Sequence, residues 1–430
     1  IKIIIQTKNI FFFFMIKKIK ELIYKLLIRT QKFTGTDNVY IAKHGSYLVI
    51  GNIVSMIAAF LLSIVLARLL PKETYGQYRY ILSIMAILAI FSLEGINKAV
   101  LRGVAKGFEG VFLSGFKTKL KWSLLGALAS IGVAFYFWLQ GNIEFTASFL
   151  IIAVFLPLFK SGEIYQSYLD GKKLFGRRVT YTTLIQVLAT IFIVITLFLT
   201  KNLIILILVY FLSYSVLRIF FLFLTIKKIK PNQADDPETI IYGKHLSFIG
   251  IIGLIVQQID SVLIFYFVGP VQLAIYAFAT LPIDYIRTPL QIIQELALPK
   301  LSIRPEQDIK KTLPKKLVKI TFLIVLVIVI YIVIAPYFYK ILYPQYMESV
   351  FYSRLFALTL LVFPVSMMML VLQAKMKTKQ LYKISILSSI IEIVLMVLLV
   401  SFYGILGVIL ARLISQFFYF FLARSSFKKI

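Results

Sequence analysis

The chain contains about twelve apolar segments, each close to the roughly 20 residues that a helix needs to cross a bilayer. The connections between them are short, charged or rich in Gly and Pro, so little chain is left for a soluble domain. Of the 430 residues, 60% are hydrophobic and 38 are Phe, well outside the usual composition of soluble domains. The sequence therefore predicts an all-α polytopic membrane protein. The predicted spans are 47–69, 78–93, 122–139, 145–162, 179–199, 203–225, 246–268, 271–297, 317–337, 350–373, 384–402 and 405–422.

The first residues, "IIIQTKNIFFFF", lack the pattern of a cleavable signal peptide. We expect translation to begin at Met15, which opens the basic amphipathic stretch "MIKKIKELIYKLLIRTQKF". A stretch of this kind is typical of an interfacial helix on anionic lipid. The chain has no Cys, which excludes disulfides and thiolate metal sites.

The distribution of positive charge predicts the topology. Most of the 47 Lys and Arg residues lie in segments 1–46, 94–121, 160–178, 227–244, 286–319, 375–383 and 424–429. The connections between these segments hold only Arg68, Lys72, Arg79, Lys201 and Lys340. By the positive-inside rule, both termini are predicted to be cytoplasmic. The net charge of +29 is thus a signal of orientation, and we expect no nucleic-acid partner.

The longest central polar connection, "KKIKPNQADDPETIIYGKH", divides the chain into six spans plus six. The predicted parts are a cytoplasmic segment, a first bundle, a linker, a second bundle and a cytoplasmic tail, at 1–46, 47–226, 227–245, 246–422 and 423–430.

The second span of each half ends early, at Glu94-Gly95 and at Asp284 with Pro282 and Pro289 nearby. Interrupted segments at corresponding positions of two halves indicate a substrate pathway in transporters. The alternative is an ordinary helix that extends past the membrane.

Four features together resemble the Wzx-type polysaccharide flippases of the multidrug/oligosaccharidyl-lipid/polysaccharide exporter superfamily. They are "LARLLPKETYGQYRYILSI" (67–85), "SLEGINKAVLRGVAKG" (92–107), "QQIDSVLIFYFVGPVQLAIYAFA" (257–279) and the 6+6 layout. Ala274 stands where the second repeat of the family usually has Gly.

The resemblance implies two six-helix bundles around a central cavity that opens alternately to either side. It further implies ion-coupled export of undecaprenyl-diphosphate-linked repeat units of O-antigen, lipopolysaccharide or capsule across the bacterial inner membrane. A polysaccharide polymerase and chain-length machinery are the candidate partners, and H⁺ or Na⁺ is the candidate coupling ion.

The predicted seventh helix carries a polar stripe within its apolar run. Gly250, Gly253, Gln257 and Asp260 follow helical spacings of three and four, with Gln258 beside them. An ionised carboxylate at mid-bilayer costs about 2.5–3.5 kcal/mol on insertion scales, so the stripe should face the protein interior or water. It either packs against a neighbouring helix, with Gln257 hydrogen-bonding across, or lines a cavity where Asp260 couples an ion. Further candidates for ion coupling or for the cavity are Asp284, Glu163 and Glu392.

For the dianionic diphosphate, Arg suits bidentate contacts with phosphate oxygens. The candidate substrate-binding residues are Arg218, Arg412, Arg287, Lys98, Arg102, Asn52 and Tyr276. Three structural alternatives to substrate binding stay open. Basic residues near helix ends can extend to lipid headgroups, Asp284 and Arg287 can form a local ion pair, and Glu392 and Arg412 can form a structural pair.

The chain lacks a P-loop, a nucleophile beside a base and a His-containing metal motif. We therefore expect a transporter without catalytic residues, metal or cofactor. A cation-coupled multidrug antiporter of the same superfamily is the first alternative, and it predicts an apolar cavity with acids. A membrane O-antigen polymerase or ligase is the second, and it usually carries a large basic external loop that this chain lacks.

Overall fold

Every regular element in the described part of the chain is helical. The computed structural model describes the backbone of residues 38–428 and the side chains of residues 51–427, apart from five positions in the second half. Those five positions are 292, 295, 296, 299 and 300. The amphipathic stretch predicted from Met15 lies outside the described residues.

The structure describes eight helices before the linker. They are α1 (Asn38–Leu69), α2 (Lys72–Leu88), α3 (Gly95–Ala105), α4 (Val111–Leu139), α5 (Ile143–Ser161), α6 (Tyr165–Gly171), α7 (Phe175–Leu199) and α8 (Leu203–Ile229). Seven follow the linker: α9 (Pro237–Phe267), α10 (Pro270–Ile303), α11 (Glu306–Leu342), α12 (Ser349–Ala357), α13 (Val362–Ala374), α14 (Thr378–Tyr403) and α15 (Ile405–Lys428).

In the described residues, ten helical segments are long and apolar enough to cross a membrane. The bent pair of α2 and α3 makes an eleventh if it counts as one span. Each of these segments coincides with a predicted span, and the remaining predicted span is α10. This helix is long enough to cross, but the polar side chains along it lower its hydropathy.

The interruption predicted in the second span of each half is present only in the first half. After α2 a short 3₁₀ turn leads to Leu93, which has a left-handed φ of 54°, and α3 then begins at Gly95 with a 47° bend. By contrast, α10 is a continuous helix through Pro282 and Pro289, so the interrupted span is absent there and the alternative of an ordinary, longer helix remains. Membrane helices accept Pro where neighbouring groups satisfy the freed backbone.

Within the described residues, three helices start on a side-chain cap. The side-chain oxygens of Asn142, Asn202 and Asp236 accept hydrogen bonds from the first backbone amides of α5, α8 and α9, at 3.0, 2.9 and 3.2 Å. Short polar side chains satisfy the amides that a helix leaves free at its first turn. Pro237 follows Asp236 at the first helical position, so the sequence marks the start of α9 twice.

The buried apolar side chains form two main clusters. The first draws mostly on α1 to α8 and reaches across to Phe278, Tyr339 and Tyr346. The second is built from α9 to α15. The predicted division at the 227–245 linker stays a prediction, but the two clusters follow the same order along the chain.

The bent pair α2–α3 lies directly against the second half. A Cβ on Gly76 would lie 1.8 Å from the carbonyl oxygen of Pro270, and a Cβ on Gly95 would lie 2.4 Å from the amide nitrogen of Ser247. Only glycine allows two backbones to approach this closely. These contacts fix α2 against α10, and α3 against α9.

The linker between the halves is bonded to the first half through Glu109. The Glu109 carboxylate accepts hydrogen bonds from Lys172 Nζ at 2.6 Å and Tyr168 Oη at 2.7 Å, and from the backbone amide of Asn232 at 3.3 Å. The amide of Gly110 also donates to the carbonyl of Ala234 at 2.7 Å. Burial by itself raises the pKa of Glu109, but these hydrogen bonds and the Lys172 charge outweigh it and lower the pKa.

Candidate functional site: a cationic cavity between the halves

A cavity of about 370 Å³ lies where α2 faces α9. It runs along α2 from Arg79 to Glu94 and is closed on the first-half side by α5 and α8. The full lining is Arg79, Leu82, Ser83, Met85, Ala86, Ala89, Glu94, Phe159, Lys160, Tyr210, Leu254, Gln257 and Gln258. Both halves of the chain therefore contribute side chains to one polar space.

At one end of the cavity, Glu94 and Lys160 form an ion pair of 2.8 Å. Glu94 also accepts hydrogen bonds from Asn97 Nδ2 at 3.0 Å and Ser92 Oγ at 3.2 Å. The bend between α2 and α3 presents Glu94 to the cavity, because the chain leaves the axis of α2 just before this residue. The interrupted second span thus delivers a carboxylate to the cavity.

Behind this pair, Lys119 is fully buried within α4. Its Nζ donates to Asn97 Oδ1 at 2.9 Å and lies 3.8 Å from carboxylate oxygens of both Glu94 and Glu163. A buried ammonium is stable only when it is paired and hydrogen-bonded. Lys119 therefore joins the two carboxylates into one network.

Arg218 on α8 completes the network at the far side. Its Nη1 lies 3.1 Å from Glu163 Oε2 and donates to the carbonyl of Phe159 at 2.7 Å. The guanidinium also stacks over the Phe159 ring, with Cζ 4.0 Å from the ring centroid. Arg218 faces the interior as predicted, but its charge is directed at Glu163.

At the opposite end of the cavity, Arg79 has no such partner. Within the described residues its side chain makes no ion pair and no hydrogen bond, and its Nε is buried without a partner. Around the cavity, four cations (Arg79, Lys119, Lys160 and Arg218) thus face two carboxylates, Glu94 and Glu163. Two positive charges are left uncompensated.

The first part of the polar stripe on α9, from Gly250 to Gln257, borders this cavity and open space. Gln257 and Gln258 line the cavity, and Gly250 and Gly253 have no heavy atom within 4 Å of an added Cβ. The packing interpretation of these two glycines was therefore wrong: nothing in the described structure approaches them. They face open space one and two turns from Gln257.

Asp260, on the same helix, is buried and fully paired. Its Oδ2 accepts hydrogen bonds from Arg412 Nη2 on α15 at 2.5 Å and from Tyr276 Oη on α10 at 2.6 Å. Its Oδ1 accepts from the amide of Ser261 at 2.6 Å. Glu392 lies 3.9 Å from Arg412 Nε, so Arg412 is closer to Asp260 than to the partner predicted for it.

This second cluster places three predicted substrate-binding residues in structural contacts. Tyr276 and Arg412 are bonded to Asp260, as described above. Arg287 pairs locally with Asp284 at 3.1 Å and donates to Thr359 Oγ1 at 3.0 Å. The local Asp284–Arg287 pair that the sequence left open as an alternative is therefore present.

Three other candidates lie outside the cavity. Lys98 and Arg102 are on the exposed side of α3, where Arg102 Cζ lies 5.5 Å from the ring centroid of Tyr242. Asn52 is exposed on α1. None of the three contributes to the lining. The described residues contain no group of three or more His, Asp or Glu placed to hold a metal ion.

A second cavity, of about 300 Å³, is almost entirely apolar and lies between α1, α10 and α11. Its lining is Met56, Ile57, Phe60, Pro282, Tyr285, Ile286, Tyr331, Ile334 and Phe338. It contains no acid, so it lacks the carboxylates expected of a multidrug antiporter site.

Sequence reasoning missed Lys119, Lys160, Glu94 and Arg79 as site residues, although two of them carry a readable signal. Lys119 continues a stripe of small residues on α4, Gly115, Ser123, Gly126 and Ser130, all of them buried. Likewise Arg79, Ser83 and Ala86 follow helical spacing on α2 and share one face. A charged residue within a stripe of small residues points into the protein, whatever its distance from the helix end.

The fold and its two polar clusters define a multi-pass membrane protein with the architecture of a transporter. The model of the family "Polysaccharide biosynthesis protein" matches residues 41–286, more than half of the chain, and the chain belongs to this family. No curated protein matches it.

Among solved structures, the lipid II flippase MurJ in an inward closed conformation is similar at 17% identity, with a TM-score of 0.63 over 88% of this chain and 87% of that chain. A multidrug resistance MATE family transporter of the MOP superfamily, in an inward-facing conformation, is 12% identical with a TM-score of 0.58, over 87% and 96% of the two chains. A MOP superfamily transporter from Pyrococcus furiosus is also 12% identical, with a TM-score of 0.55 over 91% of this chain and 94% of that chain. The chain therefore has the MOP transporter fold.

Proposed function

We propose that this protein moves undecaprenyl-diphosphate-linked oligosaccharide repeat units across the bacterial cytoplasmic membrane, for the synthesis of O-antigen, lipopolysaccharide or capsule. The single observation that carries the proposal is the cationic cavity. Its charged lining residues are two cations, Arg79 and Lys160, and one carboxylate, Glu94, so the cavity attracts an anion such as a diphosphate. Membership of the polysaccharide biosynthesis family supports a substrate of this class.

The two cavities also suit the two chemically different parts of such a lipid. The polar cavity offers Arg79 and Lys160 to phosphate and Gln257 and Gln258 to sugar hydroxyls. The apolar cavity between α1, α10 and α11 offers only hydrocarbon and ring surface, which suits an isoprenoid chain. Transport by alternating access requires no covalent chemistry.

The remaining parts of the proposal concern orientation and coupling. The positive-inside rule supports cytoplasmic termini. Coupling to H⁺ or Na⁺ needs a carboxylate that can take up the ion, and Arg412 already neutralises Asp260. Glu392, whose contact with Arg412 is longer, and the cavity carboxylate Glu94 are the better candidates for that role.

Flipping can be tested in proteoliposomes that carry a pH or Na⁺ gradient and contain a dye-labelled undecaprenyl-diphosphate oligosaccharide in both leaflets. A membrane-impermeant reductant destroys the dye on the outer leaflet only. We expect about half of the signal to be lost without protein and nearly all of it with protein, because the inner-leaflet lipid is moved outward.

A phosphatidylethanolamine with the same dye is the matched control, and its loss should stay at about half with protein present. Equal loss of both lipids would mean a leak, and no added loss of the oligosaccharide lipid would refute the flippase proposal. Proton-driven ethidium uptake by the same vesicles would support the multidrug antiporter instead.

A further inference from the structure

The two ends of the cationic cavity differ in how their positive charges are compensated. At one end Lys160 pairs with Glu94 at 2.8 Å and lies 3.6 Å from Glu163, so an incoming anion has to compete with carboxylates for it. At the other end Arg79 has no carboxylate within ion-pair distance in the described structure. An isolated guanidinium inside a membrane protein marks a functional position by default, because its burial is unfavourable.

The surroundings of Arg79 suit a phosphate group. Gln257 and Gln258 on α9 line the same space and carry neutral amide donors. The guanidinium presents five N–H donors in a fixed plane, which suits bidentate binding of phosphate oxygens. Its buried Nε is still free to donate. Arg79 therefore offers the cavity a charged donor with no carboxylate within ion-pair distance in the described structure, and neutral donors stand elsewhere in the same lining.

The separation of the two ends decides whether one anion can use both. Arg79 and Glu94 are fifteen positions apart, over most of α2 and its 3₁₀ turn, which corresponds to about 20 Å along the helix axis. A diphosphate is only a few ångströms long, much shorter than the separation of these two backbone positions. We therefore expect the two ends to bind it at different times or in different states.

We propose that Arg79 forms a second diphosphate-binding position of the cavity, separate from the Lys160 position. The inference rests on the proposed function, since the ligand is the diphosphate of an isoprenoid lipid. The anion passes between an uncompensated end, where Arg79 binds it directly, and a charge-compensated end, where it replaces Glu94 as the partner of Lys160.

The test measures binding of geranylgeranyl diphosphate to the purified protein in nanodiscs, with geranylgeraniol and inorganic pyrophosphate as separate arms. We expect Arg79→Gln to weaken binding of the lipid diphosphate about tenfold to hundredfold, the usual range for a charge-assisted hydrogen-bond pair. Arg177→Gln is the matched control, because Arg177 is exposed on α7 outside both cavities and its loss removes the same charge.

A double variant tests the separation of the two positions. When two positions are alternatives for one ligand, loss of the weaker one matters only after loss of the stronger one. We therefore expect Lys160→Gln to change affinity little in the wild-type background and strongly in the Arg79→Gln background. Equal effects in both backgrounds would indicate one composite site and overturn the proposal.

The other outcomes separate this proposal from the proposed function. If the wild type binds geranylgeranyl diphosphate and Arg79→Gln binds it equally well, the Arg79 position is refuted while the flippase function stands. If the wild type binds none of the diphosphates, both the Arg79 position and the flippase function are refuted. If inorganic pyrophosphate binds as tightly as the lipid, the position takes free anions and the lipid assignment is overturned.

Arg79→Lys covers the case in which Arg79→Gln does not fold. It keeps the charge but loses the bidentate geometry, so we expect binding to be weakened several-fold. Unchanged affinity in Arg79→Lys would then count against the Arg79 position.

Discussion

Gly76 on α2 lies against the backbone of Pro270 at the start of α10, so close that an added Cβ would be 1.8 Å from the Pro270 carbonyl oxygen. A backbone atom cannot rotate away as a side chain can. We therefore expect Gly76→Ala to destabilise the contact between α2 and α10 by about 1–3 kcal/mol, the usual range for overpacking. Thermal unfolding of the purified protein measures the effect.

Gly132→Ala is the control for the Gly76 prediction. Gly132 is exposed on α4, and no heavy atom lies within 4 Å of an added Cβ. Ala there should be neutral or slightly stabilising, because Ala favours helix over Gly by about 1 kcal/mol. An unfolding temperature for Gly76→Ala as high as that of Gly132→Ala would contradict the close approach.

The Asp260–Arg412 pair predicts that the effect of substituting one residue on the free energy of unfolding depends strongly on the presence of the other. Asp260→Asn leaves the Arg412 guanidinium without its closest counter-charge, which typically costs about 3–5 kcal/mol for a buried pair. We expect the double variant Asp260→Asn with Arg412→Gln to recover a large part of that loss. Unfolding of the two single variants and the double variant gives the interaction energy.

The same set of variants separates the two interpretations of Asp260. A coupling carboxylate predicts that the double variant is stable but exports nothing, because no ionisable group is left at that place. A structural pair predicts that export returns together with stability. Undiminished stability in Asp260→Asn alone would argue against the pair itself.

Lys119 should be far more sensitive to substitution than its exposed neighbour Lys117. Lys119→Met removes the ammonium that lies between Glu94 and Glu163, whereas Lys117→Met removes an equal charge from the surface of the same helix. We expect a loss of about 3 kcal/mol for the first and within about 0.5 kcal/mol for the second. Similar unfolding temperatures would mean that the network does not depend on Lys119.

The linker contact at Glu109 predicts a pH dependence of stability. Its pKa is lowered in the folded protein from the ordinary value of 4.5, because bonds from Lys172 and Tyr168 and the Asn232 amide favour the carboxylate and outweigh burial. A lowered pKa contributes stability that is fully present above pH 4.5 and is lost as the pH falls through the folded-state pKa.

Glu109→Gln isolates this contribution from the titration of other groups. The difference in unfolding temperature between the wild type and Glu109→Gln should be constant near neutral pH and shrink below about pH 4.5. A difference that grows on acidification would have the wrong sign for a lowered pKa.

The sequence predicts the helices well because their lengths are set by the bilayer. Continuous apolar runs identify α1, α7, α8 and α14, among others, and each helix contains its predicted span and extends beyond it, by nine residues at the start of α1. The prolines of α10 misled the prediction, since Pro282 does not break a helix whose neighbours satisfy its backbone. The bend at Leu93 was found because Glu94 and Gly95 follow an apolar run directly.

The site was harder to predict because pairing partners lie far apart in the chain. Asp260 and Arg412 were both identified as interior residues, but helical spacing on α9 and α15 does not reveal that the two helices are neighbours. Lys119 was missed because it lies near a helix end among other lysines, where positive charge is usually solvated. Arg79 was assigned to an external connection for the same reason.

The bonds at Glu109 and Gly110 also bear on how the chain can be divided. They tie the linker to the first half up to Ala234, while Gly95 with Ser247 and Gly76 with Pro270 hold the second half in place without any help from the linker. We therefore expect covalent continuity between the halves to be dispensable. Two polypeptides expressed from separate genes and divided near Asp235 should assemble into a working heterodimer.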